Sequence, residues 1–107
     1  MRKFEGGATR DQNAGKLAYN RFLSPYVLTV YCDYLERHRE TANGRREPDN
    51  WKAGIPVDVY MESMLRHVWE AWTDHERGNH ISMDAMCAVL FNAMGMMHEL
   101  LERGNHE

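Results

Sequence analysis

The sequence has little of the residue types that mark several familiar protein classes. Its 107 residues include only two cysteines and three prolines, and no apolar run is long enough to cross a bilayer. Cys32 and Cys87 stand far apart without a CxxC spacing, which argues against a disulfide or a zinc pair and favours small core residues in a reducing compartment. The N-terminus also lacks the apolar segment of a signal peptide. We therefore expect a single cytoplasmic domain spanning residues 1–107.

The sequence also lacks an excess of positive charge. The formal net charge is -3, and no basic stripe is long enough to displace the counterions of a nucleic acid. Eight methionines and three tryptophans are many for a chain of this length. A small helical protein that cannot bury its apolar surface alone commonly does so by self-association. We expect a homodimer or homotetramer, with no membrane and no nucleic acid as partner.

Three segments carry the periodicity of amphipathic helices, so the predicted fold class is all-α. Residues 1–23 contain glycines and no helical pattern, which indicates an N-terminal arm. Apolar residues at helical spacing, with Ser24, Pro56 and Ser82 as start signals, predict helices over 24–41, 56–74 and 82–103. The prediction is a three-helix core with an arm, completed into a larger helical bundle by homo-oligomerisation.

The connector between the first two predicted helices has an unusual composition. It reads REPDNWKAGIP and holds two of the three prolines, a glycine and a tryptophan. Pro48 and Pro56 restrict the backbone, and Gly54 permits a tight turn. Asn50 offers amide groups and Trp51 a flat apolar face, which together suit contact with a purine base. The alternative is that Trp51 closes the end of the helical bundle.

Two predicted helices carry histidine beside their apolar stripes. His38 follows the stripe of the first helix, where a hydrogen-bonded core histidine is the alternative to a catalytic one. Arg66 and His67 on the second helix pair a fixed cation suited to phosphate with a potential acid or base. Glu62 and Glu70 flank Arg66 at helical spacing, so an exposed row of ion pairs explains it equally well.

Polar groups among small residues mark one side of the third predicted helix. Asp84 and Asn92 lie two turns apart there, where carboxylate and amide oxygens could hold a hard cation such as Mg²⁺. The alternative is close helix packing, with Asn92 hydrogen-bonded across the interface. In the arm, the spacing of the glycines is wrong for a phosphate loop. Arg10 and Lys16 could still contact phosphates as point charges, or belong to an ordinary loop.

Six segments in order carry a resemblance to a known family. They read GATRD followed by GKLAYNRFLSP, then YLERHRE, PDNWKAGIP, VYMESMLRH and MCAVLFNAMG. Together they resemble the phage and bacterial dATP/dGTP diphosphohydrolase N-terminal domain family, which is considered similar to the MazG-like all-α nucleoside triphosphate pyrophosphohydrolases. The resemblance spans about residues 6–101. The residues at family-like positions are Arg10, Lys16, His38, Asn50, Trp51, Arg66, His67 and Asn92.

The resemblance implies cleavage of dGTP or dATP to the monophosphate and pyrophosphate with Mg²⁺, or with Mn²⁺ in its place. If the chain is phage-encoded, the reaction would take place in the host cytoplasm. Under this hypothesis we assign catalysis to His67 and His38. Substrate binding is assigned to Arg10, Lys16, Asn50, Trp51, Arg66 and Asn92. The metal is assigned to Asp84, Glu62, Asp33 and Glu36.

The sequence departs from the MazG-like pattern in its carboxylates. It has neither the EExxE motif nor the ExxD motif of those enzymes, since the second predicted helix offers only Glu62 and Glu70. A non-catalytic nucleotide-binding module and a helical partner-binding module therefore remain as alternatives. Fold-level analogy by itself does not establish chemistry.

Overall fold

The structure is a computed structural model that describes residues 2–3, 5–7, 9–10 and 15–103. Its elements in chain order are β1 (Arg2–Lys3), β2 (Thr9–Arg10), α1 (Tyr19–Phe22), α2 (Pro25–Arg37), β3 (Glu40–Thr41), β4 (Gly44–Arg45), a 3₁₀ helix (Asn50–Ala53), α3 (Val57–Glu76) and α4 (Met83–Glu102). The strands form two antiparallel two-stranded ribbons, β1 with β2 and β3 with β4. The described part is mostly helical, which confirms an all-α core.

Helix α2 begins where the sequence predicts and ends earlier. The Ser24 hydroxyl accepts a hydrogen bond from the backbone N–H of Val27 at 3.2 Å, and Pro25 occupies the first helical position. The helix ends at Arg37 rather than near residue 41. The chain turns there into the β3–β4 hairpin, whose turn uses Gly44 at φ 118°. The N-terminal arm, predicted to have no helical pattern, contains a short helix, α1, and the two strands β1 and β2.

Helices α3 and α4 form the structural centre of the molecule. Pro56 is the N-cap of α3, and the Ser82 hydroxyl caps α4 by accepting the Ala85 N–H at 3.1 Å. Both helices are 20 residues long and are joined by a short turn, so they run antiparallel. Their bounds agree with the predicted helices to within two residues, which is the usual uncertainty of helix ends. Helix α2 packs less extensively, and it does so against α4.

The core is small and belongs mainly to α4. The buried residues are Tyr31, Tyr60, Ala85, Cys87, Ala88, Asn92, Gly95 and Met96. Several members of the predicted apolar stripes are instead exposed, including Val27 on α2 and Leu65 and Trp72 on α3. The stripes are wider than the surface that a single neighbouring helix covers. Only one edge of each stripe is therefore packed within the chain.

The molecule is extended for its length. Its radius of gyration is 18.9 Å, whereas a compact domain of this size has a value of about 13 Å. Leu17, Tyr19, Phe22 and Tyr26 in and near α1 are all at least half exposed. Among the residues that the structure describes, no helix combines the length and apolar character that crossing a bilayer requires.

Candidate functional site

A cleft of about 260 Å³ lies between the C-terminal half of α2, the connector and the α3–α4 pair. Its volume is near the lower end of that of small-molecule sites, which is roughly 300 Å³. Aromatic, amide, imidazole and guanidinium groups share its wall. The lining residues are Tyr34, Leu35, His38, Arg39, Arg46, Glu47, Pro48, Asn50, Trp51, Ile55, Ser63, His67, Ala88, Phe91 and Asn92. Five of these are residues that the sequence singled out: His38, Asn50, Trp51, His67 and Asn92.

His38 lies at the end of α2, with its ring against the Tyr34 ring at a centroid distance of 4.1 Å. Its Nδ1 is 2.8 Å from the backbone oxygen of Tyr34. A carbonyl oxygen can only accept, so Nδ1 carries the hydrogen and donates it. The neutral ring then has its lone pair on Nε2. His38 is exposed and is not the core residue that the alternative expected.

His67 is half-buried on the side of α3 that faces the cleft. Its Nδ1 lies 3.4 Å from Oε1 of Glu70, one helical turn further along. A carboxylate in that position orients an imidazole and favours the tautomer with hydrogen on Nδ1. The arrangement leaves Nε2 of His67 available as an acid or base.

Asn92 is the one buried polar residue among the described residues, with 5% of its surface exposed. Its amide nitrogen donates to the backbone oxygen of Ala88 at 2.7 Å and to the Ser63 hydroxyl at 3.3 Å. Both amide hydrogens are therefore used, and the amide is held in one orientation. The Oδ1 acceptor is what Asn92 can offer to a ligand. The hydrogen bond across the helix interface that the sequence suggested as the alternative role of Asn92 is present in the contact with Ser63.

The connector is fastened to the C-terminal part of α4 at two points. Glu99 Oε1 accepts the backbone N–H of Ile55 at 3.2 Å. The Trp51 ring meets the His98 ring edge-on, with centroids 4.9 Å apart. Gly54 adopts φ 111°, a conformation that favours glycine, and this turn lets the chain enter α3 directly. Trp51 is thereby half-buried at the cleft wall rather than inside the bundle.

Two arginines at the cleft were missed by the sequence analysis. Arg39 donates from Nε to the backbone oxygen of Arg46 at 2.8 Å, and Arg46 donates to the backbone oxygen of His38. Both guanidinium groups are thus held beside the histidine. Neither belongs to a periodic pattern, because one follows the end of α2 and the other follows β4. The density of arginine around the hairpin was the signal that could have found them.

Two of the three cations that the sequence predicted for substrate binding do not line the cleft. Lys16 and Arg66 are exposed. The side chain of Arg10 lies outside the described part of the structure. Its backbone is described only as part of β2. The guanidinium groups at the cleft wall belong to Arg46 and to Arg39, which is paired with Glu36, and the Glu47 carboxylate also lines the cleft.

The four predicted metal ligands do not come together within one chain. Arg37 binds two of them, with Nε 3.2 Å from Asp33 Oδ2 and Nη2 3.2 Å from Asp84 Oδ1. Glu36 binds arginines instead, and Glu62 is exposed on α3. In residues 15–103 no three His, Cys, Asp or Glu side chains gather closely enough to hold an ion. Within a single chain, these four carboxylates therefore do not form a shared ion site.

The ion pairs keep the Asp84 and Glu36 carboxylates charged. The hydrogen bond from Arg37 lowers the pKa of Asp84, and the bond from Arg45 lowers the pKa of Glu36. Burial of the phenol raises the pKa of Tyr34, with the nearby Asp84 carboxylate as a further cause. Tyr34 is thus neutral at physiological pH and its ring serves as an apolar wall for the cleft.

Comparison with protein-family models, with curated proteins and with solved structures found no match to this chain.

Proposed function

We propose that the chain binds a purine deoxynucleoside triphosphate in the cleft and cleaves it to the monophosphate and pyrophosphate. The observation that carries the proposal is the convergence of His38, Asn50, Trp51, His67 and Asn92 on one cleft. These residues come from α2, the connector, α3 and α4. They are also residues that the family resemblance implied.

The lining of the cleft contains groups suited to each of the two chemical parts of a nucleotide, the base and the phosphates. Trp51 and Phe91 provide aromatic surface for a base, and Asn92 provides a fixed acceptor for an exocyclic amino group. Arg46 and Arg39 provide guanidinium groups suited to phosphate oxygens, and Arg39 would exchange its present partner Glu36 for the phosphate. A ligand with a flat base at one end and several negative charges at the other matches both the aromatic and the guanidinium groups.

His67 is the residue best placed for proton transfer. Glu70 orients its ring through Nδ1, which leaves Nε2 for proton transfer, and His67 lines the cleft. In phosphoryl chemistry an imidazole so held can accept a proton from an attacking water. His38, fixed through Nδ1 by Tyr34, is the second candidate for this role.

The test of cleavage is pyrophosphate release from each of the four deoxynucleoside triphosphates with Mg²⁺, with Mn²⁺ and with EDTA. We expect release from dGTP or dATP, and a loss of about 100-fold or more in His67→Asn, the scale of general acid–base catalysis. His75→Asn is the matched control, because His75 is exposed in the last turn of α3 and is absent from the cleft wall. No release from any nucleotide contradicts the proposed cleavage.

A second candidate function is nucleotide binding without cleavage. The ion pairs of Asp33, Glu36 and Asp84 with arginines favour it, because these carboxylates are already engaged. Thermal unfolding in a nucleotide panel measures binding directly. Saturation at about 100 times the dissociation constant stabilises a fold by about 2.7 kcal/mol. Stabilisation that persists in EDTA without pyrophosphate release selects this function, and a flat panel would leave only a helical partner-binding module.

We further propose that the chain works as a homo-oligomer, a dimer or tetramer, in the cytoplasm where its nucleotide substrate is found. The exposed apolar side chains of α4 and the large radius of gyration support self-association. The proposal gives those surfaces a partner without requiring another protein.

A further inference from the structure

Helix α4 carries a heptad stripe on the side that neither α2 nor α3 covers. Starting from Met83, apolar residues recur at alternating intervals of three and four. They are Met83, Met86, Leu90, Ala93, Met97 and Leu100, which we name the α4 seam. This is the spacing of the contact positions of a coiled coil. Met83 and Met97 are 61% and 63% exposed, and Met86 is 47% exposed.

The neighbours of α4 within the chain lie on other sides of the helix. Gly95 and Asn92 face α3, where they meet Tyr60 and Ser63. Met94 faces α2 and receives a hydrogen bond from the Tyr31 hydroxyl at 3.7 Å. The α4 seam occupies the remaining part of the circumference.

The composition of α4 indicates that this remaining side is also covered in the working protein. From residue 85 to residue 97 the helix contains no charged residue and no histidine. Asn92 is the one polar residue in that span, and a helix that is so largely apolar is typical of a buried position rather than a surface one. Within one chain only two of its sides are packed, so a further element is missing.

We propose that the α4 seam is the interface with a second copy of this chain, formed by the α4 helices of the two copies about a two-fold axis. The inference rests on the proposed self-association and assigns it to a surface. A heptad stripe matches another copy of itself, which is what a two-fold interface requires. A strongly charged partner would find no opposite charge along residues 85–97.

The available area agrees with such a dimer. The exposed residues of the seam are Met83, Met86, Leu90 and Met97. These seam residues have large apolar side chains, and so does Leu101, which is 56% exposed. Together they offer roughly 500 Å², a large part of the roughly 800 Å² that each partner contributes to a standard interface. Leu28 on α2 is also partly exposed and adds apolar surface beyond the seam.

The experiment measures the mass of the full chain in solution by sedimentation velocity over a range of concentrations. We expect a dimer, and an increase of at least about tenfold in its dissociation constant in Leu90→Lys, since a charge at an interface centre is left unpaired. Leu65→Lys is the matched control, because Leu65 is 56% exposed at a similar spacing on α3. Circular dichroism checks that both variants keep their helices.

A cross-linking variant keeps the test independent of folding defects. In a Cys32→Ser background, a short bismaleimide should link two copies of Leu90→Cys covalently. It should leave Leu65→Cys without a cross-link. Cys87 is buried, so the chain that carries only Cys32→Ser shows how much cross-linking occurs through Cys87 alone.

A dimer that Leu90→Lys leaves unchanged, or that both lysine variants weaken equally, overturns the proposed interface at the α4 seam. A wild-type chain that is monomeric at about 100 µM, well above the usual range of stable dimers, overturns self-association as well. Pyrophosphate release is measured separately, so its failure bears on the nucleotide proposal alone.

Discussion

Gly95 is a point of close approach between α4 and α3. A methyl group there would meet the ring and hydroxyl of Tyr60 well inside van der Waals contact. Tyr60 is only 1% exposed, and its hydroxyl has no hydrogen-bond partner among the described residues. Burial raises the pKa of this phenol, which therefore stays neutral. The pair shows that a small residue in α4 is required by a large one in α3.

At the residue scale we predict that Gly95→Ala lowers the free energy of unfolding by about 1–3 kcal/mol, the cost of overpacking a filled core. Helix propensity alone predicts the opposite sign, a gain of up to about 1 kcal/mol. Urea unfolding monitored by circular dichroism distinguishes the two. Ala71→Gly in α3, outside the α4 seam, is the control, and it should lose about 1 kcal/mol through propensity. A stabilised Gly95→Ala variant contradicts the close packing.

At the scale of the element, the connector is the segment in which local backbone geometry and binding groups coincide. The 3₁₀ helix Asn50–Ala53 displays Trp51, and the Glu99 carboxylate holds the backbone at Ile55. Lys52 lies with its ammonium 5.7 Å from the centre of the Trp51 ring. The indole is thus held at the cleft from two sides and does not fill the bundle.

We predict that Trp51→Ala weakens binding of the preferred nucleotide by about tenfold or more, since stacking on an aromatic side chain is worth about 1–3 kcal/mol. The same change should cost only about 1 kcal/mol of stability, because Trp51 is half-buried. Titration calorimetry and urea unfolding provide the two values. Trp72→Ala, an exposed tryptophan outside the cleft, controls for loss of an indole. A large loss of stability with unchanged affinity would show that Trp51 only closes the bundle.

At the scale of the whole molecule, α2 is the least firmly attached long helix. Polar contacts from α2 to α4 are the Arg37–Asp84 ion pair and the Tyr31–Met94 hydrogen bond. Burial raises the pKa of Tyr31 to about 12, so this hydroxyl keeps its hydrogen across the physiological range. Because α2 provides one wall of the cleft, its attachment determines whether the cleft exists.

The ion pair predicts a dependence of stability on pH. The pKa of Asp84 is lowered from the usual value of 3.8 by the hydrogen bond from Arg37. Its contribution to stability is therefore present above that value and is lost as the pH falls through the lower folded pKa. We expect Asp84→Asn to lose stability slightly at neutral pH and to lose less than the wild type on acidification to about pH 3.

Thermal unfolding at the two pH values is the measurement. Asp58→Asn is the control, since it removes the same charge from an exposed site in the first turn of α3. An Asp84→Asn variant that loses as much stability in acid as the wild type would show that the ion pair does not hold α2.

Much of the architecture follows from local features of the sequence. The hydroxyl caps Ser24 and Ser82 and the glycine at residue 54 act within a few residues of chain, so they could be recognised without a fold. The early end of α2 could not, because the β3–β4 hairpin competes for the same residues. The expected metal ligands do not form one site, and this too could not be predicted from local sequence, because Arg37 binds two of them. Arg37 is one turn from Asp33 in sequence, but its contact with Asp84 depends on how α2 crosses α4.

The sequence by itself determined an all-α core, the start of each long helix and five residues of the cleft wall, because periodicity, caps and side-chain chemistry are local properties. Only the tertiary structure decided that Arg39 and Arg46 join that wall, that Arg37 occupies the carboxylates, and that one side of α4 is left uncovered. Each of these depends on contacts between residues distant in the chain. Spacing along one helix cannot specify them, since it fixes a direction around the axis but not the neighbour that lies there.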